Sequence, residues 1–519
     1  MNIASLLKSV PEPRRPAIIF PGSTKAAITF GELEERSSRL AQGFYEKGVR
    51  ANDRAIILTP VSINLYASLI ALFKLGATAV FLDPQSGYRQ LSLTAARVEA
   101  SALICTRQVQ RLRYCSGSLR RIQRMFLSEG DGTGSLDSLS NGCAPRSEIA
   151  EVEGETPALI TFTGGSTDSS GPRGVVRTHR LLIAQHHALS RALPAIADDV
   201  DLPAFPVVTL HNLASGVPSV IPDFPFRRPS AVRPEKILKQ IRDFGATTAS
   251  GSPAYWYRIA EYCLQNEIRL SLRRIVTGGA PVSPALMRQI RKAAPEAEIL
   301  SIYGSTEAEP VAVIRAEEFL DAAAGKIEPG SGIPLGRVVP EARVRILDGL
   351  GKEKEKCQVG EIWVSGEHVA RDYLENPSAK SGNKLIDAEG CLWHRMGDVG
   401  HLDEAGRLWL DGRVNTVVIR DGTAIYPVHV ENLAAMFPYV HRAALIGVPD
   451  KSLGDRTRLV VELARGVERP RDWREQLKAA CGGDGWIIDE VYAIRRLPVD
   501  ARHNSRIDYL RLKSRRFIQ

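Results

Sequence analysis

The chain of 519 residues is 44% hydrophobic and 24% charged, and it carries a formal net charge of +9 at pH 7. This length exceeds what one hydrophobic core usually supports, and the composition excludes a disordered chain, so we predict a globular protein of two or more domains. Basic residues are interleaved with acidic ones along the chain. We therefore expect a solvated basic surface and no nucleic-acid partner, although an anionic cofactor or an acidic carrier protein stays compatible with this charge.

Cysteine usage and the first residues bear on the cellular compartment. Seven cysteines occur singly, without a Cys-x-x-Cys pair, which argues against a zinc site or a disulfide framework and for a reducing compartment. The amino terminus lacks the long apolar core of a signal peptide. The most apolar stretch, residues 65–82, contains Lys74 and Gly76, so it predicts a buried helix followed by a strand and no membrane span. We expect a cytoplasmic protein.

In chain order, amphipathic stretches alternate with short apolar runs. The pattern predicts a helix at residues 31–48, strands at 54–59, 78–83, 101–106 and 158–163, a helix at 234–245 and a strand at 272–279. The strand-like runs are rich in Ile and Val, and the helix-like stretches end on glycine. Such alternation predicts an α/β fold with parallel sheets flanked by helices.

The pattern changes after residue 340. Short alternating strands at residues 342–348, 360–366 and 406–413 predict a small antiparallel unit. The last segment mixes strand-like and helix-like stretches that have apolar faces of their own, and it follows a polar turn at residues 411–415. We therefore predict a large amino-terminal domain at residues 1–412 and a small α+β carboxyl-terminal domain at residues 413–519.

One loop is dense in glycines and hydroxyls. Residues 161–179 read TFTGGSTDSSGPRGVVRTH, between a predicted strand and a helix predicted at residues 177–193. Free backbone N–H groups, hydroxyl donors and the cation Arg173 are what binding of a polyphosphate requires. The common phosphate-binding pattern with Gly-Lys-Ser/Thr is absent from the sequence. At this point a plain surface loop stays open as the alternative.

Further stretches add candidate chemistry. The sequence IYGSTEAEPVA, residues 302–312, offers Tyr303 for stacking on a purine, Thr306 for phosphate and Glu307 for Mg²⁺. Residues 277–284, TGGAPVSP, form a glycine turn where the backbone can approach a flat ring. Asp398 and Arg413 lie within residues 393–413, and DARHNSRID follows at residues 500–508. Taken singly, each stretch is also compatible with an ordinary turn.

Together, in this order and at these separations, the stretches resemble the motifs of the adenylate-forming superfamily, which comprises acyl- and aryl-CoA synthetases, peptide-synthetase adenylation domains and luciferases. The resemblance extends from residues 28–44 to residues 503–508. It implies a ligase that uses ATP and Mg²⁺ to activate a carboxylic acid, with a small carboxyl-terminal domain that moves.

The resemblance also implies roles for individual residues. The residues expected at ATP are Thr163, Ser166, Thr167 and Arg173 at the phosphates, Gly279, Ala280, Pro281 and Tyr303 at adenine, and Asp398 and Arg413 at ribose. Glu307 is expected to bind Mg²⁺, Thr306 and Arg506 to act in catalysis, and Asn415 to be the hinge.

The chain departs from the family's pattern at four places. The phosphate loop has Asp168 where a glycine is usual, two extra residues, and an arginine in place of a lysine. Arg506 stands where the catalytic lysine is expected, and Asn415 where an aspartate or lysine is usual. Thr209 occupies the place of the aromatic-gate histidine, with His211 two residues on. These changes leave the expected fold intact and bear on the rate of the first step, because arginine is bulkier and planar.

Several stretches resemble one branch, the olefin-pathway β-lactone synthetases, which adenylate a long-chain 2-alkyl-3-hydroxy acid and let the 3-hydroxyl attack the mixed anhydride. The likeness lies at residues 205–237, 251–256, 303–312, 393–403 and 498–507. His211 is a candidate base for lactone closure, and Trp256 and Gly304 are expected at an acid with an apolar tail. His211 is alternatively a polar turn residue, and Trp256 is alternatively an ordinary core residue.

Two other functions stay open. An acyl-CoA or acyl-carrier-protein ligase would pass the acyl group to a thiol, and the loop at Gly422 would then line a tunnel for the pantetheine of coenzyme A or of the carrier. A nucleotide-binding protein without catalysis is the second alternative. The retained Glu307, Asp398 and Arg413 argue against it, because decay seldom spares metal and ribose ligands together.

Overall fold

The computed structural model describes residues 1–8, 10, 12–22, 27–82, 87–163, 172–226, 228–323, 332–375, 382–464, 466–483, 486–499 and 507–514. Its helices are α1 Ala4–Lys8, α2 Phe30–Glu46, α3 Ile63–Lys74, α4 Gly87–Val98, α5 Arg107–Arg113, α6 Gly117–Arg121, α7 Leu136–Gly142, α8 His179–Ala192, α9 Pro206–Ser215, α10 Pro234–Asp243, α11 Pro253–Gln265, α12 Pro284–Ala293, α13 Ala316–Ala323, α14 Pro427–Ala434, α15 Trp473–Cys481 and α16 Tyr509–Lys513. Short 3-10 turns cover Pro229–Ala231 and Val414–Thr416.

The strands form three sheets. They are β1 Pro16–Ile19, β2 Ala27–Thr29, β3 Arg54–Leu58, β4 Thr78–Phe81, β5 Ala102–Cys105, β6 Arg124–Leu127, β7 Pro157–Thr163, β8 Arg173–Thr178, β9 Asp201–Pro203, β10 Ser219–Val220, β11 Thr248–Gly251, β12 Arg274–Gly278, β13 Glu298–Ser305, β14 Ala308–Arg315, β15 Ile333–Val338, β16 Arg343–Leu347, β17 Gly360–Ser365, β18 Asp372–Tyr373, β19 Lys384–Ile386, β20 Leu392–Leu402, β21 Arg407–Arg413, β22 Val418–Arg420, β23 Thr423–Ile425, β24 Val440–Asp450, β25 Gly454–Leu463 and β26 Glu490–Ile494.

The largest sheet has a parallel centre and an antiparallel flank. Its order is β16-β17-β20-β21-β15-β14-β13-β12-β11-β9-β10-β1-β2, with β19 paired to β20. Strands β9 to β13 pair in parallel, so the carboxyl ends of β9, β11, β12 and β13 meet at one edge. The antiparallel unit expected after residue 340 is present, but it is not separate. It continues this sheet, because β14 and β15 pair through Ala312↔Val338 and Val313↔Arg337.

The second sheet holds the ends of the glycine-rich loop. Its order is β18-β8-β7-β4-β3-β5-β6, and β7, β4, β3, β5 and β6 run parallel. The helix expected from residue 177 begins at His179 instead, because residues 173–178 pair with β7 as strand β8. The hydroxyl of Thr178 accepts a hydrogen bond from the Leu181 N–H and thereby caps α8.

The third sheet lies after β21. It has the order β23-β22-β25-β24, and β26 runs parallel to β25. Helices α14 and α15 pack on it through a cluster that includes Val430, Leu445, Leu459 and Leu477, all fully buried. The α+β character of this segment is confirmed, whereas the division after residue 412 stays a prediction.

Local sequence explains where the helices begin. The helix predicted at residues 31–48 is α2, and Thr29 caps it: the Thr29 hydroxyl accepts from the Glu32 N–H at 3.2 Å while the Glu32 carboxylate accepts from the Thr29 N–H at 2.9 Å. Helix α12 starts with Ser283 as its cap and Pro284 in its first turn. The capping box at Thr29 is a local reason that α2 begins close to its expected first residue.

Lys74 lies in the apolar stretch that the sequence predicts to be helix and strand, and both elements are confirmed as α3 and β4. Its side chain is 1% exposed, and its ammonium donates to the carboxylate of Glu34 and to the hydroxyls of Ser37 and Ser38 at 2.7–2.9 Å. This paired charge joins α3 to α2. In the described part of the chain, no helix combines the length and the hydropathy that crossing a bilayer requires.

Candidate active site

The turn between β13 and β14 presents Glu307. Ser305 and Ala308 pair across the hairpin, so Thr306 and Glu307 are its two central residues. The Glu307 carbonyl accepts from the Ala370 N–H at 2.7 Å, and the half-buried Glu307 carboxylate accepts from the Tyr373 hydroxyl at 3.2 Å through Oε1. The carboxylate is therefore held at the edge of the sheet in a defined direction.

Tyr303, Asp398 and Arg413 form one contiguous group. The Tyr303 hydroxyl donates to Oδ2 of Asp398 at 2.7 Å, and Nε of Arg413 lies 2.8 Å from Oδ1. Asp398 and Arg413 are cross-strand partners on β20 and β21, which explains how residues 15 positions apart meet. The carboxylate of Asp398 raises the pKa of Arg413, desolvation of the guanidinium opposes that rise, and Tyr303 and then Glu307 add smaller contributions that raise it.

The glycine turn after β12 lies beside Tyr303. Gly278 pairs with Ile302, and a Cβ at Gly278 would lie 2.6 Å from the Ile302 carbonyl oxygen. Gly279 has φ +77° and is half-buried with Ala280, whereas Pro281 is exposed. Only glycine tolerates the close approach at Gly278 and the backbone conformation at Gly279 without strain. The turn and Tyr303 thus follow neighbouring parallel strands at their carboxyl ends, where α/β folds place ligands.

The glycine-rich loop is described only at its ends. Thr163 closes β7 and is the register partner of Arg173, which opens β8. The loop residues Ser166 and Thr167, the carboxyl-terminal Arg506 and the side chain of Thr163 lie outside the described residues, so their expected roles stay predictions. Burial, followed by the Glu307 carboxylate, raises the pKa of Tyr373, and the Arg173 guanidinium opposes that rise without reversing it.

Two residues at this site carry no local signal in the sequence. Tyr373 reaches Glu307 because β18 pairs with β8, a contact that links positions 66 apart. Arg177, on β8, is 5% exposed, and its Nη2 donates to the Thr306 carbonyl at 2.7 Å. Burial lowers the pKa of Arg177, and the carboxylates of Glu309 and Glu307 oppose that change.

His211 lies on α9 within a buried polar group. Its Nδ1 is 3.1 Å from Nδ1 of His186, and its Nε2 is 3.5 Å from the Ser215 hydroxyl. Burial, with a smaller contribution from His186, lowers the pKa of His211 to about 3, so the ring is neutral and a weak proton acceptor near pH 7. The adjoining cavity of about 40 Å³ suits ordered water and is too small for an acyl chain.

Trp256 lies in the core on α11. Its side chain is completely buried, and its indole N–H donates to the Val276 carbonyl at 2.9 Å. The Tyr255 ring packs edge-on against it at 5.4 Å. Its contact with the acid, and that of Gly304, stay predictions.

The expected hinge follows a buried carboxylate. Asn415 is exposed in the 3-10 turn after β21. Four residues earlier, the fully buried Asp411 accepts from Nδ1 of His401 at 2.7 Å and from Nε2 of His429 at 2.5 Å. Because His429 lies on α14, this carboxylate joins the largest sheet to the carboxyl-terminal segment. Burial raises the pKa of Asp411, but the two imidazoles outweigh it and the pKa lies below its ordinary value.

The chemistry of the donor set fits a nucleotide and a hard cation. Asp398 provides a carboxylate that accepts hydrogen bonds, as ribose hydroxyls require, and Arg413 adds a cation for phosphate. The Glu307 carboxylate is an oxygen ligand of the kind that Mg²⁺ prefers, and Tyr373 engages only one of its oxygens. The residues that the structure describes are therefore suited to both groups.

Comparisons with known proteins identify the family of this chain. The AMP-binding enzyme model matches residues 9–374. The olefin β-lactone synthetase of Stenotrophomonas maltophilia is 32% identical over 506 residues, covering 92% of this chain and 89% of that protein. The protein of the same name from Xanthomonas campestris is 31% identical, covering 98% of this chain and 96% of its own length. The structure of ATP-bound MatB from Rhodopseudomonas palustris is 22% identical and matches the fold over 99% of this chain and 98% of its own, with a TM-score of 0.84.

The family match covers more than half of the chain, and both synthetases align along nearly all of it. The α/β architecture expected from the sequence is confirmed, and the family model and the two synthetases confirm the resemblance to adenylate-forming enzymes. The chain belongs to the AMP-binding enzyme family and is an adenylate-forming ligase.

Proposed function

We propose that this enzyme uses ATP and Mg²⁺ to activate a carboxylic acid with an apolar tail as acyl-AMP, and that a 3-hydroxyl of the same acid then closes a β-lactone. The observation that carries the adenylation step is the contiguous group of Tyr303, Asp398 and Arg413 beside the carboxylate of Glu307. The lactone step is supported by the likeness, along nearly the whole chain, to two olefin β-lactone synthetases.

In the first step, an oxygen of the substrate carboxylate attacks the α-phosphorus of ATP, and the bond to pyrophosphate breaks. This transfer needs position and neutralised charge more than proton transfer. Asp398 would hold the ribose, Tyr303 would stack on adenine next to the turn at Gly279, and Arg413 would meet the phosphate. Mg²⁺, held by Glu307, would supply charge neutralisation at the phosphates.

Arginine replaces lysine at both remaining cationic positions. Arg173 opens β8 beside Tyr373, where its charge would face the phosphates. Arg506 would contact the substrate carboxylate and the α-phosphate, as the family's lysine does at that position. A guanidinium keeps the positive charge and offers a planar fork of donors that matches carboxylate and phosphate.

In the second step, the 3-hydroxyl oxygen bonds to the acyl carbon, AMP leaves with the electrons of the broken C–O bond, and the hydroxyl proton is released. His211 is the candidate acceptor for that proton. Its burial and its low pKa make His211 a weak base. Removal of the imidazole by His211→Ala is a direct test of this role.

The alternative is transfer of the acyl group to the thiol of coenzyme A or of a carrier protein. The observation in its favour is the turn between β22 and β23, where Gly422 has φ +76° and a Cβ would meet no atom within 4 Å. Open space at this glycine would leave room for pantetheine.

The test is to supply ATP and Mg²⁺ with a panel of fatty, 3-hydroxy fatty and amino acids, and to identify every product with and without coenzyme A. The proposal expects pyrophosphate, AMP and a β-lactone from a 3-hydroxy fatty acid, independent of thiol. A thioester formed only with coenzyme A would favour the alternative. No pyrophosphate from any acid would favour a nucleotide-binding protein without catalysis.

A further inference from the structure

Arg177 is a buried cation that the proposed reaction does not use. Arg177 is 5% exposed, and its Nη2 donates to the Thr306 carbonyl at 2.7 Å. Its Nε is buried and has no hydrogen-bond partner among the described residues. A guanidinium that loses its water with so few hydrogen bonds in return is costly to the fold. This cost indicates a role other than packing.

The turn that carries Glu307 is held from two directions. Arg177 on β8 holds the Thr306 carbonyl, and the Ala370 N–H holds the next carbonyl, that of Glu307. Tyr373 orients the carboxylate itself. Because Tyr373 and Arg177 belong to the paired strands β18 and β8, the turn is attached to one rigid sheet edge.

Two carboxylates, those of Glu309 and Glu307, also act on the charge of Arg177. Glu309, two residues beyond Glu307, is half-buried, and its carboxylate is the main charge acting on the guanidinium. Among the residues that the structure describes, no carboxylate oxygen lies within 4.0 Å of Arg177, so the guanidinium stays directed at the backbone carbonyl. Burial raises the pKa of Glu309 and the Arg177 guanidinium opposes that rise, so each of the two charged groups stabilises the charge of the other.

We propose that Arg177 is a positioning residue for the metal-binding carboxylate: through the Thr306 carbonyl it fixes the turn that aims Glu307 at Mg²⁺. The inference rests on the proposed role of Glu307 toward Mg²⁺. Two simpler roles of Arg177 predict different changes in the Mg²⁺ concentration that binding requires. A cation that acted only through its charge would repel Mg²⁺, so its loss would lower the Mg²⁺ concentration required; a purely structural residue would change stability and leave that concentration unaltered.

The experiment compares wild type with Arg177→Met and Arg177→Lys. Binding of a non-hydrolysable ATP analogue is measured by calorimetry across a range of Mg²⁺ concentrations, and AMP binding without Mg²⁺ is measured beside it. Arg177→Met should raise the Mg²⁺ concentration for half-maximal binding about tenfold, because the turn loses one hydrogen bond from a charged donor. AMP affinity should stay within about twofold of wild type, because Asp398 and Tyr303 are untouched. Arg177→Lys should give a smaller increase, because lysine keeps a donor for the carbonyl.

Arg180→Met is the matched control. Arg180 lies three residues along on α8, pairs with Glu155 at 3.2 Å and is 45% exposed, so its loss removes the same charge without touching the turn. An unchanged or lowered Mg²⁺ requirement in Arg177→Met overturns the inference. If Arg177→Met does not fold, Arg177→Lys decides: a requirement at or below the wild-type value overturns it. If wild type itself gains no affinity from Mg²⁺, the assignment of Glu307 fails instead.

Discussion

Replacement of Asp398 by alanine tests the ribose site most directly. The Asp398 side chain is 9% exposed, and its two oxygens face the Tyr303 hydroxyl and the Arg413 guanidinium at 2.7 and 2.8 Å. A hydrogen bond to a charged group contributes about 1.5–3 kcal/mol, and two ribose hydroxyls would donate to Asp398. The gain is less than the sum of two such bonds, because both oxygens of Asp398 already have partners in the protein. We therefore expect Asp398→Ala to lose roughly 2–4 kcal/mol of nucleotide binding, or about 30- to 1,000-fold in Kd.

The assay is calorimetry with ATP and with 2′-deoxy-ATP. Wild type should prefer ATP, and Asp398→Ala should discriminate little between the two nucleotides, because the group that reads the hydroxyl is gone. Tyr303→Phe is the companion variant: it keeps the ring and removes one hydrogen bond to Asp398, so it should lose less affinity than Asp398→Ala. Unchanged ATP binding in Asp398→Ala, or a preference for ATP that persists in it, would refute the ribose assignment.

Four further predictions concern other parts of the enzyme. Glu307→Gln should abolish Mg²⁺-dependent pyrophosphate release while circular dichroism shows an intact fold, because the metal loses a charged ligand. Arg506→Ala should slow acyl-AMP formation about a hundredfold, or about 2.7 kcal/mol, and Arg506→Lys should retain or raise the rate; wild-type rates in Arg506→Ala would assign the task to another cation. Trp256→Ala should alter the preferred chain length of the acid, and lower stability with an unchanged preference would place Trp256 in the core alone. The pKa of Asp411 is lower in the folded protein than its ordinary value of 3.8, so the ionised carboxylate stabilises the fold. Asp411→Asn should therefore unfold at a lower urea concentration than wild type above pH 3.8. This difference should vanish as the pH falls through the pKa of Asp411 in the folded protein.

The sequence by itself determined the type of most elements and the identity of the chemical groups. Strand-like runs such as residues 54–59 and 272–279 are found as β3 and β12, and the capped stretch at residues 31–48 is α2. Periodicity and capping act over a few residues, so they can be read without knowledge of the fold. The same holds for the tight turn at Glu307 and for the glycine turn at Gly279, whose backbone conformations depend on adjacent residues.

Tertiary structure alone decided which of these groups meet. Asp398 contacts Arg413 through a strand register and Tyr303 through the packing of two strands 95 residues apart in sequence. Tyr373 reaches Glu307 from β18, which pairs with β8, and Arg177 reaches the Thr306 carbonyl from β8 itself. Asp411 accepts from His429 only because α14 packs against β21. Burial then set the chemistry of His211, a plausible base by residue type whose pKa of about 3 makes it a weak one. Long-range pairing and desolvation depend on the whole fold, and no local pattern in the chain encodes either of them.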